Sequence, residues 1–111
     1  MTTDFRVIFV AVGKPPEVRT VEELDLETLR GFVAGDIEIL TVGRDDEHLY
    51  INEEGRINGL PLNRYVTDDS GNVWDILGDF VLLAPGDEEG NETSLTDAQI
   101  EKWLPRLEGG R

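Results

Sequence analysis

The longest uninterrupted apolar runs in the chain, Val7 to Val12 and Phe80 to Ala84, are only strand-sized. Runs that short fall far below the roughly 18 residues needed to span a bilayer, and they suit buried strands better than buried helices. Gly, Pro, Asn and Asp separate them from the rest of the chain at close intervals. Most of the core must therefore come from short strands joined by turns. With 111 residues, a chain has length for one core that buries roughly two-thirds of its unfolded surface. We expect residues 1–111 to form a single domain.

Phe5 to Val12, rich in β-branched and aromatic residues, reads as a central strand. Gly13-Lys14-Pro15-Pro16 ends it. Two prolines donate nothing to a ladder, so Glu17 to Val21 is an edge or returning strand. Leu26, Leu29, Phe32 and Val33 recur at helical spacing. With Asp25 as N-cap and Gly35 as the left-handed residue after the last turn, they predict an amphipathic helix over 26–34. Asp36 to Gly43 alternates as a strand, Arg44-Asp45-Asp46 is a turn, and His48 to Asn52 is the hairpin partner. Asn52-Glu53-Glu54-Gly55 has turn chemistry. Arg56-Ile57-Asn58 is read as a further short strand, and Gly59 to Arg64, which follows neither period, as an ordered loop or single helical turn. After a tight turn over Asp68 to Asn72, Val73 to Gly78 leads through a kink at Gly78 into the strand from Phe80. Pro85 to Thr93 is a solvated loop. Thr96 and Gln99 form a capping box, with Leu95 and Ile100 as its hydrophobic staple. Ile100, Trp103, Leu104 and Leu107 continue the stripe, and Pro105 stops or kinks the helix around Leu104. The expected fold is α+β: a mostly antiparallel, or mixed, sheet of about five strands with helices near 26–34 and 97–107.

The candidates for chemistry are few. With no Cys, disulfides, thiolate metal sites and cysteine catalysis are excluded. The single histidine, His48, has no Ser, Cys or second His nearby and reads as a surface residue. Asp68, Ser70 and Asn72 have the alternate spacing that opens a calcium loop, but Val73 stands where that loop needs Gly and Asp79 where it needs Glu. No metal is expected, and no phosphate loop, nucleophile elbow or dinucleotide fingerprint calls for a cofactor. Asp75, between Trp74 and Ile76, is the one acidic residue whose neighbours could raise its pKa for acid–base work. Its bland reading is a cap on a helical turn starting at Ile76. The stretch Asn52 to Arg64 differs in kind, placing Asn52, Asn58, Asn63 and Arg64 beside Gly55, Gly59 and Pro61. Those donors on a tightly shaped backbone can bind a carboxylate, a phosphate or a base edge. They can equally satisfy unpaired backbone groups at a structural crossing.

Asn52-Glu53-Glu54-Gly55, Gly59-Leu60-Pro61-Leu62-Asn63-Arg64, Asp75-Ile76-x-Gly78-x-Phe80 and Ser94-Leu95-Thr96-Asp97-x-Gln99-Ile100 together resemble the family catalogued as domain of unknown function 3846. The resemblance covers most of the chain, with Gly-Leu-Pro-Leu-Asn-Arg its most specific part. It implies a small accessory protein of bacteriophages, plasmids or other mobile elements and carries no established activity. In that setting the first expectation is a non-enzymatic binding module, a counter-defence or host-takeover factor. It would bind a host protein or a small anionic ligand such as a nucleotide through Asn52 to Arg64 and Asp75. The alternatives are an acidic decoy imitating DNA and a small enzyme using Asp75.

The formal charge of −14 argues against direct nucleic-acid or anionic-membrane binding, since both need clustered Lys and Arg. Asp45 to Glu47, Glu53-Glu54, Asp68-Asp69 and Asp87 to Glu89 supply ten of the 24 carboxylates, all in expected turns where charge is cheaply solvated. The N-terminal Met-Thr-Thr-Asp-Phe-Arg has neither the basic region nor the cleavage site of a signal peptide, giving a cytoplasmic expectation. Edge strands beside Pro15-Pro16 leave a homodimer open.

Overall fold

In a computed structural model, which describes residues 4–86 and 93–108, the chain runs β1 (Phe5–Val10), β2 (Glu17–Val21), α1 (Leu26–Val33), β3 (Ile37–Thr41), β4 (His48–Asn52), β5 (Leu62–Thr67), β6 (Val73–Leu77), β7 (Phe80–Leu83) and α2 (Asp97–Glu108). Five strands form one sheet in the order β2-β1-β7-β4-β3, and β5 and β6 form a separate two-stranded ribbon. Every pairing is antiparallel, so the α+β expectation holds and its mixed-sheet variant does not. β2, which follows directly on Pro15-Pro16, is an edge strand.

The sheet is covered on both faces. Val7, Val81 and Leu83 pack with Leu24 and Leu29 on the α1 side. Ile8, Val10, Leu49, Phe80 and Leu82 pack on the other side with Val66 and Ile76 of the ribbon and Trp103 and Leu107 of α2. β7 lies at the centre with all four residues buried. That explains its unbroken apolar run, because a strand covered on both sides has no face to leave polar.

Both helix starts follow the sequence. Asp25 Oδ1 accepts from the Thr28 amide at 2.8 Å, and hydrogen bonding from the Thr28 side chain, then from this amide, holds the Asp25 carboxyl below its ordinary range. The Thr96 amide donates to Gln99 Oε1 at 2.8 Å and the Gln99 amide to Thr96 Oγ1 at 3.1 Å, the reciprocal capping box. The helix ends differ from expectation. The left-handed residue after α1 is Ala34, φ 59°, rather than Gly35. Gly35 answers another need: a Cβ there would come within 2.7 Å of Asn52 Nδ2. Pro105 does not stop α2, which continues to Glu108. Pro105 and Glu101, whose carbonyl loses its intrahelical partner, are both exposed, so water can take that bond.

Three loop expectations also change. Arg56-Ile57-Asn58 is not a strand but part of a continuous turn over 53–59, in which the Asn58 amide donates to Glu54 O at 2.8 Å. The end of the supposed loop, Leu62 to Arg64, opens β5. A bulge between Leu62 and Arg64 turns Asn63 and Arg64 inward in succession, which breaks the period of two and hides the strand. Asp75 caps nothing and sits within β6. Gly78, at φ 77°, is the expected kink and carries the chain from ribbon to sheet.

The acidic turns divide. Asp45 and Asp46 are exposed, but Glu47, expected at a solvated tip, is fully buried and accepts from Gln99 Nε2 at 3.2 Å. Gly43 makes room for it, since a Cβ there would overlap the Glu47 carboxylate. Asp87 to Glu89 lies outside the described residues. Asp68 accepts from the amides of Ser70 and Asn72, each at 2.9 Å, and from Trp74 Nε1 at 3.0 Å. The indole bond, aided by the two amides, holds its carboxyl below the ordinary range. Its lone pairs thus serve an Asx turn. His48 is half-buried, with Nδ1 3.1 Å from Thr41 Oγ1.

Asp69 fastens α2 to the rest of the fold. Its side chain, only 11% exposed, accepts from Lys102 Nζ at 2.6 Å, from Arg106 Nη1 at 2.7 Å and from the Arg44 amide at 2.7 Å. Lys102, then Arg106, then the amide hold its carboxyl well below the usual range. Because the folded value lies below the unfolded one, this stabilisation is complete above an unfolded pKa of about 3.9 and fades as pH falls through the folded value. Asp69→Asn should cost about 2 kcal/mol at pH 7. Urea unfolding at pH 7 and pH 3 should show the gap between wild type and variant narrowing in acid; an equal gap at both would exclude the carboxylate's charge as its source.

Candidate functional site

The sequence groups Asn52, Gly55, Asn58, Gly59, Pro61, Asn63, Arg64 and Asp75, but the fold distributes them. Asn52, 7% exposed, ends β4 and reaches α1: Nδ2 donates to Val33 O at 3.0 Å, while Oδ1 accepts from the Glu54 amide at 2.8 Å. One side chain thereby satisfies a helix-end carbonyl and starts the 53–59 turn. Gly55 sits against the ribbon, where a Cβ would be 3.3 Å from Leu77 Cβ. Asn58 is exposed, and Gly59 closes the turn at φ 67°. Pro61 accepts from the Gly78 amide at 2.8 Å and lines a cleft with Val12, Val33, Leu60 and Asp79.

Asn63 and Arg64 lie beneath the ribbon. Asn63 Nδ2 donates to Val10 O and Gly78 O, both at 2.9 Å. Arg64, 1% exposed, donates from Nε to Asn63 Oδ1 at 2.9 Å, from Nη1 to Leu107 O at 2.5 Å and from Nη2 to Lys14 O at 2.6 Å. Its guanidinium meets the carbonyl end of α2, where a cation is electrostatically favoured. Of the two readings of this stretch, the geometry of Asn52, Asn63 and Arg64 is that of a structural crossing.

Asn52, Gly55 and Asp75 do converge on one cleft of about 280 Å³, between the 53–59 turn, the β3–β4 hairpin and β6. Glu38, Ile51, Glu53, Arg56, Ile57 and Leu77 complete its lining. Arg56 Nη2 donates to Asp75 Oδ2 at 2.5 Å. This bond holds the Asp75 carboxyl below its ordinary range, the opposite of the raised value that a general acid needs.

The pairing of Tyr65 with Asp75, Thr67 with Val73 and Leu62 with Leu77 puts these side chains on the ribbon's outward face, since partners directly across a ladder share a side. Leu62, Tyr65 and Val73 are 44%, 49% and 63% exposed, and Ile57 at the neighbouring turn is 83% exposed. Arg56 and Ile57 fall within the expected Asn52 to Arg64 stretch, in a turn rather than a strand, whereas the outward-facing Tyr65 and Val73 lie beyond it. Alternation in Tyr65-Val66-Thr67 is the available signal for Tyr65.

Among the described residues no group of His, Asp and Glu is arranged to hold a metal ion. No helix there is long and apolar enough to cross a membrane. Neither a curated protein nor a solved structure matches the chain. One family model, described as a domain of unknown function (DUF3846), matches residues 5–108. That match spans both helices and every strand of the fold, and the chain belongs to the DUF3846 family.

Proposed function

We propose that this protein is a non-enzymatic binding module whose outward ribbon face and adjoining 53–59 turn engage a partner protein. The observation that carries the reading is the exposure of Ile57, Leu62, Tyr65 and Val73 around the Arg56–Asp75 pair. Neighbouring large apolar side chains left in water cost solvation that a partner would recover, and such patches mark interaction sites. A small anionic ligand is less well served, because Arg64 donates to backbone carbonyls and Arg56 faces a carboxylate. The decoy reading is weakened by arginine and lysine interleaved with the acids: Arg6–Asp97, Arg19–Glu17, Arg30–Asp36 and Lys102–Asp69 all interrupt an unbroken negative array. A cytoplasmic accessory of a bacteriophage or plasmid, acting in counter-defence or host takeover, suits a module that works by occupying a host protein.

The test compares wild type with the double variant Ile57→Ser, Tyr65→Ser as bait in a bacterial lysate. Both positions are exposed, so the variant should melt like wild type. We expect a protein captured by wild type to be lost from the variant; identical capture by the two would remove this surface from consideration.

A further inference from the structure

The charge around the cleft indicates what would enter it. Ile51, Ile57 and Leu77 give it apolar walls, while Glu38, Glu53 and Asp75 stand against the single cation Arg56, a formal lining charge of −2 from three acids and one base. The chain itself already seats a guanidinium there, that of Arg56 on Asp75. The two side chains of that pair are 69% and 44% exposed, and an ion pair so open to water is held weakly and exchanges readily.

Resting on the reading of this surface as a protein-binding one, we infer that the cleft takes an arginine side chain from a basic segment of the partner, which displaces Arg56 from Asp75. A carboxylate presents two acceptors to the planar fork of a guanidinium, a match that an ammonium cannot reproduce. Tyr65, half exposed, stands directly across the ladder from Asp75 on the same face, next to the cleft rather than in its lining. The stem of an arginine buries methylenes against apolar walls while its head reaches the charges. The acidity of the whole chain, −14, draws a basic partner and repels a polyanionic one.

This makes Arg56 a competitor of the ligand, which gives the inference an unusual sign. The probe is a short arginine-glycine peptide titrated into isotope-labelled protein at low salt, with a citrulline-glycine peptide as its neutral counterpart. Amide shift changes should centre on Ile51, Gly55, Ile57, Asp75 and Leu77 and be absent with citrulline. Arg56→Ala should tighten binding by about threefold, since a weak surface competitor is removed. Asp75→Asn should weaken it by about tenfold, the loss of one charge-assisted contact. The exposed pair Asp45→Asn, Asp46→Asn, in a remote turn, should change it little. Weaker binding in Arg56→Ala overturns the inference, as does equal weakening by the Asp45, Asp46 variant or shift changes scattered over all the acidic turns. If the peptide fails while the Ile57, Tyr65 variant still loses its captured protein, the binding surface stands and the arginine occupant falls. If that variant captures everything wild type does, the surface itself is wrong.

Discussion

Arg64→Ala should lower the unfolding free energy by about 3–5 kcal/mol, the scale for removing one member of a buried charged hydrogen-bond network. The guanidinium is 1% exposed and ties three segments together: the Asn63 side chain, the Lys14 carbonyl after β1 and the Leu107 carbonyl in the last turn of α2. Truncation leaves those acceptors without this donor and opens space under the ribbon. Carbonyls in a helix's final turn lack intrahelical partners, so Leu107 has no substitute within its own helix. Arg64→Lys should recover only part of the loss, because one ammonium cannot span acceptors that a planar fork reaches in different directions. Urea midpoints with an unchanged denaturant slope would measure it. A loss under about 1 kcal/mol would mean that the surrounding backbone finds other donors.

Trp103→Ala should cost about 3–5 kcal/mol by cavity formation. Trp103 is the largest of the fully buried side chains and belongs to the core shared by α2, the central sheet and the ribbon. Arg106 lies over its ring at 4.4 Å and Lys102 at 5.1 Å, adding cation–π attraction. Those same two residues hold Asp69, so the cavity also loosens the clamp described above. Trp103→Phe should cost distinctly less, since it keeps an aromatic ring and removes an indole N–H that has no hydrogen-bond partner among the described residues. Thermal unfolding of the pair orders the two losses; equal losses would place the cost in the indole rather than in the cavity.

Much of the frame was legible because it is local. Asp25 capping Thr28, the Thr96–Gln99 box and the prolines before β2 are contacts within a few residues, and residue type with spacing specifies them. β5 was not legible, because its bulge turns Asn63 and Arg64 inward together and erases the alternation that marks a strand. Glu47 in an acidic run looked solvated. Its burial depends on Gln99, 52 residues away, and on the room left by Gly43. In the stretch from Asn52 to Arg64 residue types alone could not show which donors would face inward, as Asn52, Asn63 and Arg64 do.

The sequence by itself determined a single α+β chain of short strands and two capped helices, because periodicity, caps and turn chemistry act over one or two turns of backbone. It also determined a formal net charge of −14. Only the tertiary structure decided that the strands among the described residues divide into a five-stranded sheet and a ribbon, that Arg64 is a buried clamp, and that Arg56 meets Asp75 beside exposed Ile57 and Tyr65. Arg56 and Asp75 are 19 residues apart, and Arg64 and Leu107 are 43 apart. The direction in which a polar side chain points is settled by such distant partners, since a buried donor must end against an acceptor wherever the fold supplies one.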